Sequence, residues 1–243
     1  MAQVDFSRRE ITIKLVYYGP ALSGKTTNLQ ALHARLTDAH RSRLLTLETA
    51  NDRTLFFDLL PIALPHSSGP KVVLKLMTVP GQVMHNNTRR LVLRGADGVA
   101  FVADSRISET RANNEAYAHL RANLRDNGLD PDAIPIVIQF NKRDLPAELI
   151  RSEQELAQIA RRGRERIITA SALRGEGVVE TFFALAALVW DALERQLGLG
   201  SRHGIDKAFL LRELGRRLNA SAEADKACEV GDPCLTPTGQ GGS

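Results

Sequence analysis

Gly19-Pro20-Ala21-Leu22-Ser23-Gly24-Lys25-Thr26 is the stretch that decides the fold of this chain. It has the pattern of a phosphate-binding loop, in which a glycine, four further residues and a second glycine precede lysine and threonine. Residues 11–18 before it are β-branched and aromatic, as strands are, and residues 25–37 after it favour a helix. Backbone N–H groups at the start of such a helix attract phosphate. This position between a strand and a helix favours a phosphate-binding loop over a chance glycine-rich turn.

Each residue of the loop has an expected role in binding a nucleoside triphosphate. The missing side chain of Gly24 lets the backbone approach the phosphates, Lys25 reaches the β- and γ-phosphates, and Thr26 ligates Mg²⁺. The nucleotide-binding residues expected here are Gly19, Pro20, Ala21, Leu22, Ser23, Gly24, Lys25, Thr26 and Thr27. The pattern does not identify the base.

Strand-like and helix-like segments alternate through about the first 195 residues. The further strand candidates are residues 44–47, 72–79, 98–103, 134–140 and 166–169, and helices are predicted at 109–127 and 175–197. Several of these strands are nearly continuous apolar runs, which is typical of strands buried on both faces of a parallel sheet. The alternation predicts a three-layer, doubly wound α/β fold with a mostly parallel sheet of six to seven strands.

Asn141-Lys142-Arg143-Asp144 follows the apolar strand 134–140 and indicates that the base is guanine. The carboxylate of Asp144 can accept hydrogen bonds from the N1 and N2 donors of guanine, a donor pair that adenine lacks. Asn141 is expected to brace the loop, and the aliphatic stem of Lys142 is expected to cover the base. An ordinary polar loop would have no reason to follow a phosphate-binding loop and a buried strand in this order.

A second loop completes the expected base site. Ser171, Ala172 and Leu173 follow the strand 166–169 and can present a backbone N–H to the guanine oxygen. A P-loop kinase is excluded as an alternative, because it would leave Asp144 without a role and no lid for a second substrate is apparent.

These residues resemble those of the Ras-like small GTPases. Further segments narrow the resemblance to the MglA family of bacterial small GTPases. These segments are residues 17–20, 26–30, 52–58, 78–82 and 139–146. The resemblance covers roughly residues 5–195. It implies a Ras-like P-loop NTPase fold, GTP and GDP as ligands, Mg²⁺ as the metal, and a switch that regulates cell polarity or gliding motility.

The resemblance also supplies roles for residues whose own pattern does not assign one. Thr54 matches the switch threonine that ligates Mg²⁺ and senses the γ-phosphate, and Gly81 matches the second sensor. Gln82 would orient the attacking water, and Arg53 would act as an arginine finger in cis, unless it is only a solvated charge. The expected catalytic residues are therefore Gln82, Arg53 and Lys25, and the expected metal ligands are Thr26 and Thr54.

Two positions depart from the Ras-like pattern. Thr78 stands where an aspartate is usual, so the carboxylate that supports Mg²⁺ is expected to come from Asp52 or Asp58. Ala21 stands where a glycine is usual, and its Cβ is expected to crowd Gln82 or an incoming arginine beside the γ-phosphate. We therefore expect slow hydrolysis.

Two hypotheses about function remain open. In the first, the protein is both an enzyme and a switch: Thr54 and Gly81 hold two segments in place while GTP is bound, and hydrolysis releases them. The resemblance then implies a roadblock-type GTPase-activating protein of the MglB kind, and polarity or motility machinery as effectors. In the second, supported by Ala21 and Thr78, the protein is a GTP-loaded scaffold or binding module with negligible turnover.

The chain is longer than the resemblance. Residues 1–197 are predicted as a Ras-like GTPase domain, 198–204 as a linker, 205–219 as an amphipathic helix and 220–243 as a disordered tail, since small and turn-forming residues dominate there. The helix has three alternatives: it packs on its own domain, docks on a partner, or lies on an anionic membrane. The acids Asp206 and Glu213 on this helix count against the membrane.

Composition limits the partners and the location. Of 243 residues, 43% are apolar and 25% are charged, which is ordinary for a soluble globular protein, and the formal net charge is +4. This mild excess, without a basic run interleaved with aromatics, predicts no nucleic-acid partner. We expect a cytoplasmic protein that is recruited to cell poles or the inner membrane surface only indirectly or weakly.

Five remaining residues are expected to have no part in the chemistry. Cys228 and Cys234 are expected to be reduced, and their spacing fits no metal or redox pattern. His85 is expected on the surface of the switch region, Asp104 as a turn cap at the end of a strand, and Trp190 in the core.

Overall fold

The computed structural model describes most of the chain as one sheet with helices on both of its faces. The described residues are 2–5, 7–37, 43–47, 57–66, 69–80 and 86–229.

The sheet is mostly parallel. Its strands are β1 (Gln3–Asp5), β2 (Glu10–Tyr18), β3 (Leu45–Leu47), β4 (Phe57–Leu64), β5 (Lys71–Thr78), β6 (Gly98–Asp104), β7 (Ile136–Asn141) and β8 (Arg166–Thr169). Their order is β3-β4-β5-β2-β6-β7-β8, and β1 pairs with β2. The ladder from β5 through β2, β6 and β7 to β8 is parallel, whereas the β1–β2, β3–β4 and β4–β5 pairs are antiparallel. The carboxyl ends of the parallel strands therefore share one edge, where ligands bind in such sheets.

Within the described residues the sheet has eight strands, so the prediction of six to seven is too low, and β4 is the main strand that it misses. β4 contains Pro61, a residue that ordinarily argues against a strand inside a sheet. In the part of the chain that the structure describes, β3 pairs with residues 57–59 of β4. Pro61 lies beyond that pairing, so its lack of a backbone N–H breaks none of the described hydrogen bonds between β4 and β3.

Helices cover both faces of the sheet. They are α1 (Lys25–Arg35), α2 (Asn86–Leu93), α3 (Thr110–Asp126), α4 (Glu153–Arg162), α5 (Val178–Leu197), α6 (Leu199–His203), α7 (Lys207–Arg217) and α8 (Ser221–Glu229). Apolar residues of α1, α5, α7 and α8 form one buried cluster with the sheet, which includes Leu15 and Tyr17 of β2. Apolar residues of α2, α3 and α4 form a second cluster, which includes Val16 and Tyr18. Since successive residues of a strand face opposite sides, the clusters lie on opposite faces, as the predicted three-layer fold requires.

The C-terminal helices correct two predictions. Residues 198–204, predicted as a linker, contain α6, and α8 lies inside the segment 220–243 that was predicted as disordered. That prediction is wrong for residues 221–229, and residues 230–243 lie outside the described residues. Small side chains explain the difference, because Ala224 and Ala227 are buried, and a Cβ at Gly215 would lie 2.9 Å from the Cβ of Ala224. Small residues here allow two helices to approach closely.

The helix α7 packs on its own chain, which is one of the three alternatives for this segment. Leu210, Leu211 and Leu214 are fully buried in the first cluster. The backbone N–H of Thr37, just after α1, donates to the carbonyl oxygen of Arg217 at 2.9 Å. The ring of Phe209 packs edge-on against that of His66, just after β4, with their centres 4.6 Å apart. The extension therefore contacts the far ends of both α1 and β4.

The core includes Trp190, as expected, since that side chain is buried in α5 within the first cluster. Within the described residues, no helix is both long and apolar enough to cross a membrane. Cys228 is a half-buried free thiol, and Cys234 lies outside the described residues.

Candidate nucleotide-binding site

The phosphate-binding loop joins the carboxyl end of β2 to the start of α1. Its glycines have backbone conformations that other residues rarely adopt, with φ of 154° at Gly19 and 100° at Gly24. A Cβ at Gly19 would lie 2.2 Å from the carbonyl oxygen of Val102, and one at Gly24 would lie 2.2 Å from Nδ2 of Asn141. Gly24 precedes α1 without a side-chain cap, so the first N–H groups of the helix are suited to bind an anion.

Lys25 is a buried cation that the loop itself holds. Its Nζ donates to the carbonyl oxygens of Gly19 at 3.1 Å and Pro20 at 2.6 Å. Burial, and then the nearby cation of Arg89, lower the pKa of Lys25 to about 7. A bound phosphate would favour the charged form. Nearby, the buried hydroxyl of Ser23 has no hydrogen-bond partner within the described residues, which leaves a polar atom for a ligand in the same loop.

Asn141 connects the phosphate-binding loop to the loop after β8. Its Nδ2 donates to the carbonyl oxygen of Ser23 at 2.8 Å, and its Oδ1 accepts from the backbone N–H of Ala172 at 2.8 Å. The side chain is buried. The predicted phosphate loop and both predicted base loops therefore meet at one edge of the sheet.

Asp144 and Lys142 are oriented by different partners. The hydroxyl of Ser171 donates to Oδ1 of Asp144 at 2.6 Å. Lys142 has a φ of 70°, and its Nζ forms an ion pair with Asp104 at 2.7 Å. Asp104 also accepts the backbone N–H of Arg106 at 3.0 Å, which confirms its expected role as a turn cap. Burial raises the pKa of Asp104, but bonds from Arg106 and Lys142 outweigh burial and hold this pKa below its usual value.

Asp58 on β4 supplies a carboxylate beside Thr26. Its Oδ2 accepts from the hydroxyl of Thr26 at 2.7 Å and from the hydroxyl of Thr78 at 3.0 Å. The backbone N–H of Asp58 donates to the same Thr78 hydroxyl at 2.8 Å. Of the two carboxylates expected to compensate for Thr78, Asp58 is thus placed at the site, and Asp52 lies outside the described residues.

The oxygen atoms of Thr26, Asp58 and Thr78 fit the chemistry of Mg²⁺. This ion prefers oxygen ligands and is commonly bound by one or two carboxylates together with substrate phosphates and water. Across the described ranges, no group of three or more His, Cys, Asp or Glu side chains could hold a metal ion. A Mg²⁺ ion here would depend on hydroxyl, phosphate and water oxygens, with Asp58 as the nearby acid.

Arg89 is a buried cation near the site that no sequence pattern predicts. It lies on α2 and is 2% exposed. Its Nε donates to the carbonyl oxygen of Pro80 at 2.9 Å, and its guanidinium carbon lies 5.6 Å from the centre of the Tyr18 ring. The sequence offered no signal that separates Arg89 from its neighbour Arg90, because burial distinguishes the two only in the folded chain.

Two predicted segments fall outside the described residues. They contain Asp52, Arg53, Thr54, Gly81, Gln82 and His85. Leu22 and Leu173 are placed, in the phosphate-binding loop and the loop after β8, with 85% and 80% of their surfaces exposed. Roles for these residues, and for Ala21 and Thr27, stay predictions.

The fold and this site define a P-loop protein built to bind a nucleotide. The chain is 46% identical over 195 residues to the Mutual gliding-motility protein MglA of Myxococcus xanthus, which covers 80% of this chain and 99% of that relative. It is 31% identical to Ras-related protein Rab-4A of Homo sapiens over 67% of this chain and 73% of the relative. Ras-related protein Rab-4B of Rattus norvegicus is 28% identical over 66% and 74%. No family model matches the chain.

The chain therefore belongs to the MglA family of Ras-like small GTPases. It is an enzyme that hydrolyses GTP.

Proposed function

We propose that this protein is a guanine-nucleotide switch that binds GTP with Mg²⁺, hydrolyses it slowly to GDP and phosphate, and binds effectors in its GTP state. The observation that carries the proposal is the position of Asn141, which bonds to Ser23 in the phosphate-binding loop and to Ala172 in the loop after β8. One buried side chain thereby joins the elements that would bind the phosphates to those that would bind the base.

The phosphates would be bound by the backbone of residues 19–27 and by Lys25, whose burial lets the charge act in a medium of low dielectric constant. Thr26 and Thr54 would hold Mg²⁺, and Asp58 would take the place of the usual aspartate at position 78. When bound, Mg²⁺ neutralises phosphate charge and orients the γ-phosphate.

Guanine would be bound by the two loops after β7 and β8. Asp144 accepts the N1 and N2 donors, and its bond from Ser171 fixes the carboxylate in place. Lys142 forms an ion pair with Asp104, and its aliphatic stem would cover the base. A backbone N–H of the Ser171, Ala172 and Leu173 loop would bind the guanine oxygen.

Hydrolysis would depend on residues whose roles come from the family. Gln82 would orient the attacking water, and Arg53 would neutralise charge on the γ-phosphate. Thr54 and Gly81 would sense the γ-phosphate and release their segments once it leaves. Lys25 stabilises the same charge from the phosphate-binding loop.

The cellular role is proposed from the relative whose name is Mutual gliding-motility protein MglA. We propose that the chain regulates gliding motility or cell polarity, with a roadblock-type activating protein similar to MglB and with motility or polarity effectors. It would act in the cytoplasm and be recruited to cell poles or the inner membrane surface by its partners. The apolar face of α7 is buried on the chain itself, which argues against that helix as a membrane anchor.

A GTP-loaded scaffold with negligible turnover is the second candidate function. Ala21 favours it, because a side chain replaces the usual glycine beside the γ-phosphate. Thr78 no longer favours it, since Asp58 lies beside Thr26.

Nucleotide content and single-turnover hydrolysis test both candidates. The purified protein is extracted and its nucleotides are identified, and GTP decay is then followed with and without the cognate roadblock protein. We expect bound guanine nucleotide and a slow decay that the roadblock protein accelerates. Bound nucleotide without decay in either condition would favour the scaffold, and the absence of guanine nucleotide binding would overturn both candidates.

A further inference from the structure

A chain of buried polar side chains joins α1, β7 and α5. The side-chain amides of Asn28 and Gln139 each donate to the other's carbonyl oxygen, both at 2.9 Å. Nε2 of Gln139 also donates to the hydroxyl of Thr181 at 2.9 Å, and that hydroxyl donates to the carbonyl oxygen of Gly177 at 2.6 Å. All three side chains are completely buried, with 0% exposure.

Each side-chain amide hydrogen in this chain has an acceptor. Nδ2 of Asn28 donates to Gln139 and to the carbonyl oxygen of Gly24 at 2.9 Å. Nε2 of Gln139 donates to Asn28 and Thr181. The hydrogen bonds of a buried amide largely offset the cost of taking it out of water. Two apolar side chains of similar shape could therefore replace Asn28 and Gln139 with little loss of stability. Packing alone therefore does not explain why amides stand here.

The polar chain ends at the phosphate-binding loop. The carbonyl oxygen of Gly24 accepts both the side-chain amide and the backbone N–H of Asn28. Gln139 and Asn141 lie two residues apart on β7, so their side chains leave the strand from the same face. Asn141 binds the neighbouring carbonyl oxygen of Ser23. The strand β7 thus holds two successive loop residues, Ser23 directly and Gly24 through Asn28.

We propose that Asn28 and Gln139 are positioning residues that set the separation between the phosphate-binding loop and the Asp144 loop. The inference rests on the proposed function, because one ligand must reach both loops. Base and phosphates bind together with full strength only when their two sites are held at the separation that the nucleotide spans. The two amides act through Gly24 and Asn141, and not on the nucleotide itself.

The experiment separates positioning from stability. Asn28→Leu combined with Gln139→Met replaces both amides with apolar groups of similar size. We expect its Tm to stay near that of the wild type, and a fluorescent GDP analogue to dissociate about tenfold faster, which corresponds to one lost hydrogen bond. Inorganic pyrophosphate occupies only the phosphate-binding loop. Its ability to compete with binding of the GDP analogue is expected to be the same in the double variant as in the wild type.

Thr181 offers a matched pair of variants. Thr181→Ser keeps a hydroxyl that can accept from Gln139, and slow release is expected to persist. Thr181→Val has the same shape without the hydroxyl, and faster release is expected. Leu120→Ala, a core variant on the opposite face of the sheet, gives the release rate that destabilisation alone produces.

The possible outcomes are distinct. A wild-type release rate in the double variant would overturn the inference and leave the proposed function standing. So would a rate no faster than that of Leu120→Ala, or an equal loss of pyrophosphate binding, since each would mark the amides as structural only. If the wild-type protein binds no GDP, the proposed function fails and the inference fails with it.

Discussion

The hydroxyl of Thr78 on β5 and the carboxylate of Asp58 on β4 are hydrogen-bonded at 3.0 Å. β4 and β5 run antiparallel, and Leu59 pairs with Met77, so Asp58 lies opposite Thr78. The acid that Ras-like proteins carry on one strand is therefore present here on its neighbour, and it contacts Thr26 at 2.7 Å. This chain has Thr78 in place of the usual aspartate, and Asp58 supplies the negative charge from the neighbouring strand. The site therefore keeps its carboxylate.

Replacement of Asp58 by alanine is expected to lower the affinity for Mg²⁺. Because Asp58 orients Thr26, the apparent Mg²⁺ affinity should fall by about 10- to 100-fold. The measurement is the Mg²⁺ concentration that half-suppresses GDP release. Adding Thr78→Asp to the variant should restore part of the affinity, and Glu148→Gln, an exposed acid elsewhere, should change nothing. An unchanged Mg²⁺ dependence in Asp58→Ala would contradict the assignment.

Nucleotide binding is expected to take up a proton at Lys25. In the free protein burial and Arg89 lower the pKa of Lys25 to about 7, and bound phosphates raise it again by favouring the charged amine. Below about pH 7 the amine is already charged, so affinity is steady. Between about pH 7 and pH 8.5 affinity should fall as pH rises, approaching tenfold per unit.

Calorimetry in two buffers of different ionisation enthalpy measures this proton uptake directly. We expect an uptake of about one proton at the upper end of that range. Lys25→Arg keeps its charge throughout and should remove the pH dependence even where it weakens binding. A flat profile in the wild-type protein would show that Lys25 is already charged before the nucleotide binds.

The variant Ala21→Gly is expected to hydrolyse GTP faster. Removal of the Cβ gives Gln82 and the attacking water room beside the γ-phosphate, and small misplacements of reacting groups cost about 10- to 100-fold in rate. Single-turnover hydrolysis measures the change, with Ala147→Gly, at an exposed position outside the site, as the control. No gain in rate would show that Ala21 is not the obstacle.

The base specificity is expected to change when Asp144 becomes asparagine. Guanine presents two donors to a carboxylate, whereas xanthine presents one donor and one carbonyl oxygen, which matches a carboxamide. The affinity for GDP should fall by roughly 100-fold, as expected for lost bonds to a charged group. Competition between GDP and xanthosine diphosphate measures the exchange, and preserved GDP binding without gain for xanthine would contradict the role of Asp144.

The C-terminal extension is expected to contribute to global stability. Leu214 of α7 has 0% exposure, and its replacement by alanine should lower the free energy of unfolding by about 2–5 kcal/mol. Urea unfolding of the full chain measures the loss. Leu188→Ala removes a leucine that is 38% exposed on α5 and should cost much less. Equal losses in the two variants would contradict the packing of α7 in the core.

The sequence predicted the parts of the site that local chemistry determines. The phosphate-binding loop needs glycine at positions 19 and 24 because no Cβ fits there, and this requirement is visible in the residues themselves. Asn141 and Asp144 predict the base loops in the same way. The sequence leaves Asp52 and Asp58 as alternatives for the carboxylate beside Thr26. The choice depends on the register of β4, a strand that the sequence does not predict because it contains Pro61.

The buried amides were not predicted for a related reason. Asn28 and Gln139 lie 111 residues apart, and each has an ordinary place in a helix or a strand. They meet only in the folded chain, where the side chain of Asn28 on α1 bonds to that of Gln139 on β7. α8 was missed because composition alone does not distinguish small residues at a close helix contact, such as Ala224, from those of a disordered tail.

The alignment with MglA spans 80% of this chain, yet the apolar cluster on one face of the sheet continues without a break from α1 and α5 into α7 and α8. The segment that aligns with MglA is therefore shorter than the segment that shares one buried core. A fragment trimmed to the length of the relative would present the apolar side of α5 to water and leave the N–H of Thr37 without the Arg217 carbonyl. The C-terminal helices therefore belong to the same buried core as α1 and α5.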